Sequence, residues 1–182
     1  MRVGVYFGSF NPVHKGHMQI VYTLLGEGLV DQVRIIATGN YWYKQDLLPL
    51  EKRIRMLKLY ANENIIIDET HNELEKTYMI FRALKEEYPD DQLYFVIGAD
   101  SLIRFDEWVN YRELLQYPFI VIERNGLDTA GLLADLGQKD YQIVREVSSV
   151  SSTYIRKHLD EDLHEMIDDR VLEIMKEENQ SC

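Results

Sequence analysis

Two histidines three residues apart, His14 and His17, lie inside the string GSFNPVHKGH (residues 8–17). Far downstream, Ser151, Ser152, Thr153 and Arg156 cluster in SSVSSTYIRK (residues 148–157). Imidazoles, hydroxyls and a guanidinium all donate hydrogen bonds to oxyanions. Such a set suits reactions in which phosphates are brought together and spread negative charge is stabilised. Gly8 and Gly16 bound the first string; glycine lets backbone approach a ligand closely. Pro12 stiffens the approach without needing an acceptor for an N–H. The amides that open the following helix lack intrahelical acceptors, so they are expected to point at an anion. The turn is not a Walker loop, because Lys15 precedes Gly16, and it is not the dinucleotide fingerprint GxGxxG. A lone histidine is usually structural, but two at this spacing in a glycine-bounded turn are not explained that way. In the second string Ser151 or Ser152 can cap a helix. A cap alone accounts for one serine, not for Ser-Ser-Thr with an arginine one turn on.

The elements that must hold these groups follow from the apolar pattern. Val3–Phe7 reads as a strand and Gly16–Glu27 as a helix. Val33–Ala37 reads as a strand, then Leu50–Ala61 as a helix with Ile54, Leu57 and Ala61 along one side. Ile65–Asp68 is a short strand, and Tyr78–Tyr88 a helix ended by Pro89. LYFVI (93–97) and FIVI (119–122) lack polar alternation, as strands covered on both faces do. Tyr141–Val147 is a weaker strand, and helices over Thr153–Leu159 and Glu165–Glu177 close the chain. Alternating strands and helices imply an α/β fold: a Rossmann-like parallel sheet flanked by helices, with right-handed crossovers. Thr38–Pro49 is the longest irregular segment of the first half, and it carries aromatics and Lys44. Asp100, after LYFVIG, reads as a helix N-cap or a site residue; Trp108 reads as core or as a stacking surface.

The 182 residues suit one domain, with C-terminal helices from about residue 151. With 46% hydrophobic residues the chain can build a core, and no run approaches the ~18 apolar residues of a membrane span. No signal-peptide pattern opens the chain. The one cysteine, Cys182, precludes an intrachain disulfide, which fits a reducing cytoplasm. A net charge of −11 disfavours nucleic acid as a partner. The acidic stretch DEDLHEMIDD (160–169) reads as a solvated helix face. His71, His158 and His164 read as surface or packing residues.

The two phosphate strings resemble the (T/H)xGH and ISSTxIR signatures of the nucleotidyltransferase superfamily, whose fold is related to that of class I aminoacyl-tRNA synthetases. Within it the chain is similar to the bacterial nicotinate-nucleotide adenylyltransferases. RIRMLKL (53–59), FVIGADSL (95–102), Trp108 and IVIERNG (120–126) fall in that family's order, and the likeness spans roughly residues 1–160. The resemblance implies a single domain of the nucleotidyltransferase fold that transfers the adenylyl group of ATP to nicotinate mononucleotide. It implies His14, His17 and Arg156 as catalytic groups. It implies Gly8, Ser9, Phe10, Lys44, Gly98, Asp100, Arg124, Ser152 and Thr153 around ATP. Tyr78, Met79, Ser101 and Trp108 would meet the acceptor, with Trp108 on the pyridine ring. One departure matters: NELEKTYMIF (72–81) lacks the family's glycines, and Met79 stands where a threonine is usual.

An ionised phosphate nucleophile needs no general base, and departing pyrophosphate needs charge neutralisation more than a proton. The histidines are therefore read as hydrogen-bond donors, with pKa values that rise beside phosphates. Mg²⁺ is expected on the substrate phosphates, with no protein metal site. Partners are small molecules, and neither nucleic acid nor membrane is expected; a homo-oligomer is compatible with this reading. Nicotinamide mononucleotide, phosphopantetheine and a non-catalytic nucleotide sensor stay open as alternatives.

Overall fold

Strand β1 (Arg2–Gly8) is buried along Val3–Tyr6, the pattern of a strand covered on both faces. The computed structural model describes residues 1–38, 46–124, 126–145 and 148–177. In it β1 lies at the centre of a six-stranded sheet. It pairs with β2 (Gln32–Ala37) on one side and β4 (Gln92–Gly98) on the other. Strand β3 (Ile65–Ile67) extends the β2 edge; β5 (Phe119–Ile122) and β6 (Tyr141–Val144) extend the β4 side. The order is β3-β2-β1-β4-β5-β6, and every pair is parallel. Chain direction across the sheet reverses between β1 and β4, which opens a crevice beyond their carboxyl ends. Both strands end there in glycine, Gly8 and Gly98.

Helices α1 (Lys15–Gly26) and α2 (Leu50–Lys58) cover one face, with Val21, Leu24, Met56 and Leu57 meeting Val33 and Ile35. Helix α3 (Thr77–Glu87), short α4 (Tyr111–Leu114) and α5 (Thr129–Leu136) cover the other, over a core rich in phenylalanine. Phe95 stacks there among Phe81, Phe105 and Phe119. Helices α6 (Ser152–Lys157) and α7 (Asp169–Lys176) return to the first face, where Ile155 and Val171 are fully buried.

Several elements differ from their sequence reading. Helix α2 stops at Lys58 and leaves Ala61 exposed. Its buried side is Lys52, Arg53, Met56 and Leu57 rather than the Ile54–Leu57–Ala61 line, because the long stems of the basic residues turn inward. The last helix begins at Asp169 and α6 ends at Lys157, so residues 160–168 form no helix face. They run as an irregular strap pinned by buried Leu163 and Ile167. The carbonyls of His164 and Met166 accept from Lys15 Nζ (2.6 Å) and Lys15 N (2.9 Å). Strand β6 ends at Val144, and residues 146–147 lie outside the described set. Helix α5 has no counterpart in the pattern reading, although Asp128 caps it and Gly137, at φ 75°, ends it. The same holds for α4 and for two 3₁₀ turns at Ala99–Leu102 and Phe105–Glu107.

Candidate active site

The path from β1 into α1 is built around a reciprocal cap made of two imidazoles. His14 is the N-cap of α1, and its Nδ1 accepts from the amides of Gly16 (3.0 Å) and His17 (3.3 Å). His17 Nδ1 in turn accepts from the His14 amide (3.1 Å). This is the arrangement of a capping box, with ring nitrogens in place of oxygens. The two rings stack at 3.7 Å between centroids, and Phe10 meets His17 edge-on at 4.9 Å. Phe10 takes a positive φ of 46°, which tucks its ring under Gly8. A Cβ on Gly8 would stand 3.0 Å from that ring. A Cβ on Gly16 would stand 2.9 Å from both His14 Cε1 and Ser148 Oγ. The glycines therefore let rings and backbone close on one another.

This cap changes the expected source of anion affinity. The first amides of α1 do not point outward: Lys15 N donates to Met166 O, and Gly16 N and His17 N donate to His14. With each Nδ1 acting as an acceptor, a neutral ring carries its hydrogen on Nε2. Burial lowers the His14 pKa to about 4. Burial, then the neighbouring His14 and Arg124, hold His17 well below its ordinary value. In the chain alone both pKa values thus move down, opposite to the rise argued beside phosphates, because desolvation penalises the imidazolium when no anion is present. What the pair offers is two neutral, pre-oriented donors.

The second string closes onto this turn. Ser151 caps α6, its Oγ accepting from Tyr154 N (3.3 Å). Ser152 Oγ donates to Pro12 O (2.9 Å) across 140 residues of sequence. Arg156 donates to Asn11 O (2.7 Å) and to Thr153 Oγ1 (3.4 Å). The amides of Ser152 and Thr153 donate to no acceptor among the described residues. The two distant segments therefore form one cup, and its open amides belong to α6, not α1.

At the end of β4, a Cβ on Gly98 would fall 2.6 Å from Asp100 Oδ1 and 3.2 Å from the Arg124 guanidinium. Arg124 Nε lies 3.4 Å from Asp100 Oδ1, and Arg124 is near enough to His17 to affect its ionisation. Asp100 makes no capping bond in its 3₁₀ turn, so the N-cap reading of that residue falls. Ser101 is half-buried in the same turn. Trp108 is half-buried, 4.9 Å from Phe105 and edge-on to Phe95. Tyr78 packs on the same core with the Arg82 guanidinium 4.9 Å over its ring, and Met79 is exposed. Ser9 lies in the cup turn; Lys44 lies outside the described residues.

The cytidylyltransferase-like family matches the chain over residues 5–158. The chain belongs to that family. Its relatives include a protein of Acholeplasma laidlawii named "probable nicotinate-nucleotide adenylyltransferase", 35% identical over 89% of this chain and 88% of the relative. A protein of the same name from Geobacter sulfurreducens is 33% identical over 75% of this chain and 67% of the relative. The chain thus falls in the nicotinate-nucleotide adenylyltransferase branch. Among solved structures, nicotinic acid mononucleotide adenylyltransferase of Plasmodium falciparum, complexed with NaAD, superposes with a TM-score of 0.79 at 20% identity. That likeness covers 96% of this chain and 94% of the other and shows a common fold.

Two residues of this adenylyltransferase branch member enter the site without having been singled out from sequence. Asn11 is buried; its Nδ2 donates to Asp46 O (2.8 Å) and its Oδ1 accepts from Leu48 N (2.9 Å). Arg53 is fully buried under the same turn. The Asn-Pro pair is a signal for the first; for Arg53 the signal is its place three residues before Met56 and four before Leu57, on the apolar side of α2. His71 proves to be a packing residue, buried with its ring nitrogens at Asp68 (2.8 Å) and Glu87 (3.1 Å).

Proposed function

We propose that this chain transfers the adenylyl group of ATP to nicotinate mononucleotide in the cytoplasm, giving deamido-NAD and pyrophosphate. The observation that carries this reading is the junction of Ser152 and Arg156 with the Asn11–Pro12 carbonyls beside the paired imidazoles. The acceptor phosphate attacks the α-phosphorus of ATP as an anion, so no group has to take a proton from it. His17 and His14 donate Nε2–H to phosphate oxygens as negative charge spreads. Because both rings are already fixed by backbone amides, little reorganisation is needed at that moment. Ser152, Thr153 and Arg156 hold the departing pyrophosphate, with Gly8, Ser9, Phe10 and Lys44 around the triphosphate. Gly98, Asp100 and Arg124 flank the nucleoside, while Tyr78, Met79, Ser101 and Trp108 form the acceptor wall. Mg²⁺ enters with the triphosphate as part of the substrate.

The test is pyrophosphate release from MgATP with nicotinate mononucleotide, nicotinamide mononucleotide and phosphopantetheine as separate acceptors. Turnover highest with nicotinate mononucleotide is the expected result. Turnover confined to phosphopantetheine, or tight nucleotide binding with none of the three consumed, would overturn the assignment.

A further inference from the structure

The Arg53 guanidinium reaches the carboxyl ends of two neighbouring strands and the turn before its own helix. Arg53 donates from one terminal nitrogen to Ser9 O (2.8 Å), just after β1, and to Thr38 O (2.8 Å), just after β2. Its Nε donates to Leu48 O (2.9 Å). These three carbonyls converge where the ladder has ended, so the sheet supplies no amides to meet them. A planar fork of donors can serve all three at once, which a single ammonium cannot do with the same geometry.

The connections do not stop at the guanidinium. Leu48, whose carbonyl Arg53 holds, gives its amide to Asn11 Oδ1, and Asn11 O accepts from Arg156. Thr38 also donates, through N and Oγ1, to Gly8 O. A continuous set of hydrogen bonds therefore runs from the buried underside of α2, through Thr38 after β2 and Leu48 before α2, to the cup. The cup's own backbone is strained at Phe10, where φ is 46°. A turn in that conformation persists only when its surroundings over-determine it.

We propose that Arg53 is a positioning residue for the triphosphate: it touches no substrate, and it sets the Ser9–Asn11 turn on which the phosphate cup depends. The inference rests on the proposed ATP site but not on the identity of the acceptor, so it is tested with ATP alone. MgATP is titrated into the wild-type chain and into Arg53→Met, Arg53→Lys and Arg53→Ala, with Tm measured in parallel. The expected result is an ATP Kd raised about 10-fold or more in Arg53→Met, from the loss of charge-assisted bonds to three carbonyls. Arg53→Lys, which keeps the charge and most of the volume, should fold and show a smaller but clear weakening of more than about 3-fold. Millimolar guanidinium should recover part of the affinity of Arg53→Ala. A residue that only stabilised the fold would lower Tm and leave the Kd of the folded protein alone. ATP binding within 2-fold of wild type in folded Arg53→Lys and Arg53→Met would therefore overturn the proposal. Should the wild-type chain bind MgATP without adenylating nicotinate mononucleotide, the proposed function fails while this titration stands.

Discussion

The two sides of the cleft are held by different forces. On the proposed triphosphate side, side chains bond backbone across long stretches of sequence: Ser152 to Pro12, Arg156 to Asn11, Arg53 to Ser9 and Thr38. On the proposed acceptor side, Trp108 and Tyr78 lean on the phenylalanine core, and Met79 faces solvent. Hydrogen bonds fix direction, whereas apolar packing fixes volume and tolerates substitutions of like size. A reaction that requires in-line geometry at phosphorus calls for the first kind of wall around the phosphates. Choosing a flat ring can be left to the second. Substitutions on the two sides should accordingly differ in kind, kcat against KM, and not merely in size.

The largest effect is expected at His17. Replacing it with alanine removes an oriented donor and also the acceptor of the His14 amide. A lost transition-state donor typically costs about 10²–10³ in kcat. His17→Ala should fall in that range by steady-state assay, with a smaller change in the acceptor's KM. A variant that keeps its kcat and only raises KM would erase the contrast between the two walls.

Protonation tests the same wall without mutation. His14 is buried, and its pKa falls from 6.5 in the unfolded chain to about 4 in the folded one. Between those values the unfolded chain binds the extra proton and the folded chain does not. Stability from this group is therefore complete above pH ~6.5 and is lost as pH falls toward ~4. Full loss amounts to about 3 kcal/mol. His14→Asn can still cap the helix and does not titrate. Thermal unfolding across pH 4–7 should show a shallower slope for this variant than for wild type. Identical slopes would mean that the cap is not closed by neutral imidazoles.

The same contrast governs what could be seen in the sequence. Strand periodicity, the glycine-bounded turn and the Ser-Ser-Thr-Arg string were legible because each is local. Their strand-end position then followed from the βα alternation. The occupancy of the α1 amides was not legible, since oxygen side chains are the usual caps and two histidines capping each other leave no pattern signal. Arg53 sits three residues before Met56 and four before Leu57, on the side of α2 that periodicity assigns to the core, where a charged residue is unexpected. Only the convergence of Ser9, Thr38 and Leu48 carbonyls, brought together by the sheet, explains its burial. The strap over residues 160–168 reads as a helix face from sequence because its charges are abundant and its anchors, Leu163 and Ile167, are only two. Helix α5 does carry a local signal, Asp128 with Gly137, but eight residues are too short to show a full apolar stripe.

On the acceptor wall the effects should be smaller and confined to binding. Trp108 rests against Phe105 and Phe95, so alanine there removes a stacking surface and leaves the cup's hydrogen bonds in place. Aromatic stacking of about 0.5–1.5 kcal/mol corresponds to a rise of roughly 2- to 13-fold in the KM for the mononucleotide. The ATP KM and kcat should stay within about 2-fold. Initial rates with each substrate varied in turn check this. A fall in kcat comparable to that of His17→Ala would show that the two walls are not mechanically separate.

The smallest expected change is the one that bears on the acceptor's identity. Met79 stands in the first turn of α3, exposed, and its thioether offers only a weak acceptor to a ring substituent. Met79→Thr supplies a hydroxyl that can donate to a carboxylate, and hydrogen bonds of this kind contribute about 1 kcal/mol net. The ratio of kcat/KM for nicotinate over nicotinamide mononucleotide should therefore rise by about 3- to 5-fold, with the ATP KM unchanged. Since Met79 makes no bond to the cup, any movement in kcat common to both acceptors would have to travel through α3 into the sheet. The ratio isolates recognition of the substituent from that route, because an effect on phosphate geometry cancels between two acceptors with the same phosphate. A ratio that does not move would assign the substituent to backbone amides near the start of α3, and Met79 would then only shield the ring's edge from water.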